Sequence, residues 1–188
     1  TTLFRSPNHP NSSIQSSMLN QENRNGNTFN GNAFVDITFL KDFKFTFNVG
    51  TTVNEIRYYT TTNPYYGFGA EQNGTVTMYH YRTTTLNLQQ ILNYSHNFGK
   101  HNISVMLGHE SYKYNYAELS ASKKNMFSYW GNHELNGAVI DGSSAASYSN
   151  DYNTEGYFFR ALYDYDAKYY FSASYRRDAS SRFHPDHW

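Results

Sequence analysis

Three strand–turn–strand units constrain the fold of this chain more than any other feature of its sequence. They cover Ala33–Leu40 with Phe43–Val53, Leu86–Phe98 with Ile103–Glu110, and Tyr157–Tyr165 with Tyr169–Arg176. In each unit apolar residues alternate with polar ones, which is the period of a β-strand with one apolar face. Short turns close the units, and long loops rich in Asn, Gly, Ser and Tyr join them. The pattern predicts an all-β, antiparallel section of a transmembrane β-barrel.

Strand length and the position of aromatic rings distinguish this prediction from a soluble sandwich. Sandwich strands run about 5–6 residues, whereas a tilted membrane strand needs about 9–11, and the predicted strands reach that length. Seven rings lie within a few residues of the short turns, as in an interfacial girdle: Phe39, Phe43, Tyr94, Phe98, Tyr163, Tyr165 and Tyr169. A soluble, secreted β-sandwich that binds carbohydrate through aromatic loops is the alternative.

Composition excludes several classes of protein. The 188 residues contain 15 Lys plus Arg and 15 Asp plus Glu, so the balanced charge gives no indication of a nucleic-acid partner. The mean hydropathy is −0.76, and no apolar run is long enough for a transmembrane helix. A barrel strand that shows an apolar side chain only at every second position remains compatible with this average.

The chain divides by pattern into three parts. Residues 1–31 are predicted to be a polar lead-in or loop, and residues 32–178 to be barrel strands with long outer loops near 60–75 and 117–152. Residues 179–188 are predicted to begin a further outer loop. The opening residues have no signal-peptide pattern, and the last ones form no finished strand. We therefore expect an internal piece of a longer protein.

The last hairpin carries the most specific motif. The segment from Tyr163 to Phe183 reads YDYDAKYYFSASYRRDASSRF, and it resembles a signature of the SusC/RagA-type TonB-dependent outer-membrane transporters. In that family a YDYxxKY turn precedes a strand and then R-D-G-S-S-R-F, and Ala179 stands here at the usual Gly. The segments Asn97–Glu110 and Phe39–Phe45 also resemble turns of the family.

The resemblance implies a 22-stranded barrel in the outer membrane, of which about six strands lie in this chain. It also implies an N-terminal plug domain outside this chain, through which TonB supplies energy. A SusD-like surface lipoprotein and outer-membrane lipid would be the partners. The ligands would be oligosaccharides or peptides.

Four loop rings are the candidate substrate-binding residues: Tyr65, Tyr66, Tyr129 and Trp130. Exposed aromatic rings stack on sugar faces, while neighbouring polar groups bind hydroxyls. The competing interpretation is that these rings pack loop against loop or against a partner protein.

Catalytic and metal chemistry have weak support in the sequence. His184-Pro185-Asp186-His187 contains ligand types that bind zinc, but a solvent-exposed loop explains it better. Asp164 and Asp166 flank a turn, where Asp is a common turn former. No nucleophile-elbow, Walker A or metalloprotease motif is present. We therefore expect no enzymatic activity, no catalytic residue, no metal and no cofactor.

Overall fold

The computed structural model describes residues 18–141 and 145–183. They form an antiparallel seven-stranded sheet with the order β1-β2-β3-β4-β6-β7, and β5 pairs with β4. The strands are β1 (Gln21–Phe39), β2 (Phe43–Thr62), β3 (Thr75–Phe98), β4 (His101–Met126), β5 (Ala138–Asp141), β6 (Ala146–Tyr165) and β7 (Tyr169–Ser180). A four-residue helix, α1 (Phe68–Glu71), and a 3₁₀ turn at Leu135–Gly137 lie in the longer connections.

This architecture confirms the predicted all-β, antiparallel fold class. Every strand in the described part of the chain belongs to one sheet, whereas a sandwich needs two sheets packed face to face. No helix among the described residues is long and apolar enough to cross a membrane.

The strands extend further than the sequence pattern predicted. β1 begins at Gln21, inside the predicted lead-in of residues 1–31, and β4 continues to Met126, inside the predicted loop 117–152. β6 already begins at Ala146. These strand ends are rich in Asn, Ser and Lys and lack apolar alternation, so their pattern did not mark them. Backbone pairing with the neighbouring strands forms them despite low β-propensity.

The short turns place non-glycine residues in the left-handed region. Asp166 and Ala167 have φ values of 51° and 52°, and Leu40 and Lys41 have φ values of 49° and 62°. In the Asp166–Ala167 turn the Lys168 N–H donates to the Tyr165 carbonyl at 2.9 Å, which together with positive φ at both central residues is typical of a type I′ turn, whose twist matches the flanking strands. In the remaining short turn, Gly99 has a φ of 71°, which glycine adopts at little cost.

The strands pass through two compact units. The first unit contains the chain up to Asn27, Asn54–Arg82 and Ala117–Ser149. Its small core comprises Val76, Met126, Tyr129 and Ala138, with Met78 and Leu135 packed against it. The second unit contains Thr28–Val53, Thr83–Tyr116 and the chain from Asn150 onward, and it includes the three short turns.

The register of β6 with β7 gives the hairpin two different faces. Residues paired across antiparallel strands share a face of the sheet. One face carries the pairs Phe159–Tyr175, Ala161–Ala173, Tyr163–Phe171 and Tyr165–Tyr169. The other carries the pairs Gly156–Asp178, Phe158–Arg176, Arg160–Ser174, Leu162–Ser172 and Asp164–Tyr170. We name these the apolar face and the polar face of the second unit.

Candidate functional site

The outer connection between β2 and β3 presents two of the predicted rings. Asn63, which is 1% exposed, accepts hydrogen bonds through Oδ1 from the backbone N–H groups of Tyr65 (3.0 Å) and Tyr66 (2.8 Å). Its Nδ2 donates to Asn20 Oδ1 at 2.8 Å, which ties the loop to the chain before β1. This Asx-type turn leaves the Tyr65 and Tyr66 side chains 52% and 42% exposed.

Tyr129 lies in the core of the first unit. Its side chain is 3% exposed, its hydroxyl donates to the backbone carbonyl of Leu19, and burial raises its pKa. Tyr65 meets it edge to face at a centroid distance of 6.2 Å. A ring enclosed in this way has no face left for a ligand, so its position agrees with the interpretation that it packs loop against loop.

Trp130, the next residue, has the opposite surroundings. Its ring contacts Tyr129 edge to face at 5.3 Å, yet 62% of the side chain is exposed. Tyr65 from the β2–β3 connection and Trp130 from the β4–β5 connection therefore contact the same buried ring, that of Tyr129. Together with Tyr66 they are the predicted residues that retain open aromatic surface.

A second group of rings, which the sequence prediction did not include, lies on the polar face of the second unit. Tyr114 on β4 stacks on Tyr152 of β6 at 4.9 Å and 26°, and Tyr112 contacts the same ring at 6.0 Å. The Arg182 guanidinium lies 4.1 Å from the centroid of Tyr152, within the range of a cation–π interaction. We name Tyr112, Tyr114, Tyr152 and Arg182 the aromatic–arginine cluster.

Charged groups on β4 and β7 lie on the same face as this cluster. The Arg176 Nη2 lies 2.8 Å from Asp178 Oδ1 and 3.2 Å from Glu110 Oε2, and the guanidinium also lies 5.7 Å from the Phe158 ring. Phe158 in turn covers Gly108, where an added Cβ would lie 2.0 Å from the ring. The polar face therefore combines aromatic surface with cations and carboxylates, which suits contact with polar solutes.

The sequence contains a usable signal for these residues. Tyr112, Tyr114 and Glu110 occupy alternate positions of β4, and Tyr152 and Phe158 have the same parity on β6. The strand period therefore places them on one face. The predicted fourth strand ended at Glu110, and Tyr152 fell in the predicted loop 117–152, so the period was not extended to Tyr112, Tyr114 and Tyr152.

Metal binding finds no support in the described residues. Within residues 18–141 and 145–183, no three His, Cys, Asp or Glu side chains are grouped so that they could hold an ion. The segment His184-Pro185-Asp186-His187 lies outside the described residues. The Asp164 carboxylate accepts a hydrogen bond from Asn102 Nδ2 at 3.1 Å, and Asp166 pairs with Lys168 at 2.9 Å. The first interaction joins β4 to β6 beside the short turns, and the second lies within the β6–β7 turn.

Comparison with known proteins gives matches at the level of both sequence and structure. The chain is 29% identical over 169 residues to TonB-dependent receptor P3 of Formosa agariphila, covering 86% of this chain and 16% of that protein. No family model matches the chain. The solved RagAB peptide transporter aligns with a TM-score of 0.82 at 22% identity, over 90% of this chain and 19% of the other.

The RagAB peptide importer in its open-open state aligns with a TM-score of 0.78 at 23% identity, over 89% of this chain and 19% of that chain. The chain thus spans less than a fifth of the proteins it matches. The structural matches share its fold, and the sequence match is to a TonB-dependent receptor. Together they confirm the resemblance indicated by the hairpin motif: this chain is similar to a section of the barrel of a SusC/RagA-type TonB-dependent transporter.

Proposed function

We propose that this chain is part of the wall of an outer-membrane transporter that imports oligosaccharides or, as the second candidate class, peptides. The two-faced β6–β7 hairpin is the observation that carries this proposal. Its apolar face has the side chains of a lipid-facing wall, and its polar face has those of a wet lumen. A transporter needs both faces on the same strands, and an enzyme would need a catalytic constellation instead.

The proposed mechanism has two stages. Exposed rings on the outer connections, Tyr65, Tyr66 and Trp130, contact the ligand first, with a SusD-like lipoprotein covering the opening. TonB then acts on the plug domain of the whole protein and opens the lumen. The aromatic–arginine cluster would line the path that the ligand follows. Energy transfer and the plug belong to parts of the protein outside this chain.

Two observations support oligosaccharides as the first candidate class. The open rings of Tyr65, Tyr66 and Trp130 offer flat apolar surface of the kind that packs against sugar rings. Asn and Tyr, which recur in the outer connections, donate and accept hydrogen bonds with hydroxyl groups. Peptides are the second class because the matched RagAB structures are described as a peptide transporter and importer.

Growth of a gene-deletion strain tests the proposal directly. The strain is grown on single oligosaccharides and on peptide mixtures as the carbon source, and the full-length gene is restored as a control. Loss of growth on an oligosaccharide, with recovery on restoration, supports the first class. Loss on peptides alone supports the second class. Unchanged growth and uptake on every solute contradicts the proposed import function.

Substitution of the open rings tests their proposed role. Replacing Trp130 with Ala removes exposed aromatic surface, and we expect weaker ligand binding by the full-length transporter in isothermal titration calorimetry. Replacing the exposed Leu119 with Ala is a control for lost apolar area, because Leu119 also lies in the first unit and is 60% exposed. Equal affinities of the two variants would contradict a specific role for Trp130.

A further inference from the structure

We propose that the apolar face of the second unit holds a specific site for a phosphorylated, acylated lipid of the outer leaflet, with lipid A as the occupant. This inference rests on the outer-membrane location in the proposed function, and it adds a ligand that is not transported. The site has an apolar groove for acyl chains and a polar cap for the head group.

The groove is a cavity of about 360 Å³ on the apolar face. Side chains from five strands line it, and they include Phe45, Leu92, Leu107, Phe159 and Tyr175. A flat wall would offer lipid no preferred position, whereas a recess of this size holds part of an acyl chain. The lining therefore suits a hydrocarbon occupant in a fixed place.

Polar side chains close one end of this groove. His109 Nε2 lies 2.9 Å from Glu155 Oε1, and the His109 ring stacks on Tyr157 at 4.7 Å. The Tyr157 hydroxyl donates to the same Glu155 oxygen at 2.8 Å, and His109 Nδ1 lies 2.5 Å from Gln90 Oε1. We name Gln90, His109, Glu155, Tyr157 and the neighbouring Arg177 the polar cap.

The cap has a consistent height on the wall. Four residues of the cap lie at the same distance, eight residues, from the end of the strand that adjoins a short turn: Gln90, His109, Tyr157 and Arg177. At about 3.4 Å per residue and a strand tilt of about 35–45°, this distance corresponds to about 20 Å above the turns. The apolar band of such barrels is about 25 Å tall, with the short turns on the periplasmic side. The cap therefore lies in the outer leaflet about 5 Å below the upper edge of the band, and the long Arg177 side chain extends from there to the head groups.

The charge available at the cap selects an anionic head group. The register places Arg177 opposite Tyr157 on the same face. Among the described residues no carboxylate lies within ion-pair distance of Arg177, whereas Glu155 already has two partners, His109 and Tyr157. An arginine without a carboxylate partner is a strong donor to phosphate. Acyl chains in the groove and phosphate on Arg177 together describe a phosphorylated glycolipid.

Lipid retention by the full-length transporter tests this site. The protein is purified from outer membranes, delipidated in a nonionic detergent and titrated with lipid A or with dioleoyl phosphatidylcholine, and bound lipid is measured by native mass spectrometry. We expect lipid A to bind in preference to phosphatidylcholine. Arg177→Gln should weaken lipid A binding about tenfold, as expected for the loss of one charge-assisted hydrogen bond.

Arg160→Gln is the matched control. Arg160 lies on the same hairpin but pairs with Ser174 on the polar face, so its loss removes the same charge from the opposite side and should leave lipid A binding unchanged. Arg177→Lys should retain most of the binding, and Leu107→Trp, which fills the groove, should reduce it. Heat-modifiable gel migration verifies the folding of each variant.

Three results would overturn the inference: equal binding of the two lipids, equal effects of Arg177→Gln and Arg160→Gln, or unchanged binding in Leu107→Trp. Cell fractionation separates this failure from that of the proposed function. A transporter that reaches the outer membrane and imports solute but does not prefer lipid A contradicts the lipid site alone. A protein absent from the outer membrane contradicts both.

Discussion

At the scale of single residues, two adjacent rings in the longest outer connection have opposite roles. Tyr129 packs with Val76 and Ala138 in the core of the first unit, while most of the Trp130 side chain remains open. Both are aromatic residues in a polar loop, and nothing in the local sequence separates them. Contacts made over long sequence distances decide the difference, because Tyr129 reaches the backbone of Leu19.

These roles predict different effects of truncation. Tyr129→Ala should destabilise the first unit by about 3–5 kcal/mol, because it leaves a cavity and removes a buried aromatic contact. Hydrogen exchange of the full-length transporter measures this as lost protection at Val76 and Met126. Trp130→Ala should leave that protection unchanged. Similar protection losses in the two variants would contradict the assignment of Tyr129 to the core.

Neighbouring residues on β4 test the two faces at equal depth. Leu107 lies on the apolar face, six residues from the start of β4, which places it about 15 Å above the turn and near the middle of the apolar band. Leu107→Arg should therefore cost about 2–4 kcal/mol in urea unfolding of the full-length protein in lipid vesicles. Met106→Arg, on the polar face, should cost much less. An equal cost for both would show that the faces are assigned incorrectly.

At the scale of elements, the hairpin turns were predictable in position but not in conformation. Asp166-Ala167-Lys168 marks a turn by composition, yet Ala167 is an unusual residue for a φ of 52°. The left-handed region costs an L-residue roughly 1–2 kcal/mol, and the pairing of β6 with β7 supplies the compensation. Local propensity alone would have suggested Gly at this position.

Replacing Ala167 with Gly should therefore stabilise the hairpin by about 0.5–1 kcal/mol, because Gly removes the steric penalty but loses more entropy on folding. Ala173→Gly makes the same chemical change in the middle of β7, where Gly should destabilise by about 0.5–1 kcal/mol. Urea unfolding in vesicles measures both variants. A destabilising effect at both positions would argue against the left-handed turn.

The strands show where sequence reasoning succeeds and where it stops. Between Phe43 and Val49, and again between Tyr157 and Tyr175, one face is apolar, so the alternation itself encodes the strand and its two faces. Beyond the apolar band, as at the start of β1 near Gln21, both faces are polar and the period leaves no trace. The positions of the aromatic–arginine cluster could have been obtained only by extending the period from the apolar segments.

At the scale of the whole molecule, the chain spans only a small part of the proteins that it matches. It covers 16% of the curated receptor and 19% of the RagAB chains that it matches. The ends of the strand order, β1 and β7, present backbone groups that must pair when surrounded by lipid. On the proposed function, the described sheet is one section of a barrel, and neighbouring strands of that barrel complete the pairing.

The proposed function requires the apolar face to meet lipid and the polar face to meet water. Spin labels on Ala161→Cys and Ala173→Cys, compared with Arg160→Cys and Ser172→Cys, test it in the full-length transporter reconstituted in bilayers. The chain itself contains no Cys, and any others in the protein are first replaced. Collisions with lipid-soluble oxygen and with a water-soluble nickel chelate are measured by electron paramagnetic resonance. We expect collisions with oxygen to be the more frequent at positions 161 and 173, and collisions with the nickel chelate to be more frequent at positions 160 and 172 than at 161 and 173. Equal or reversed accessibility would contradict the barrel-wall account.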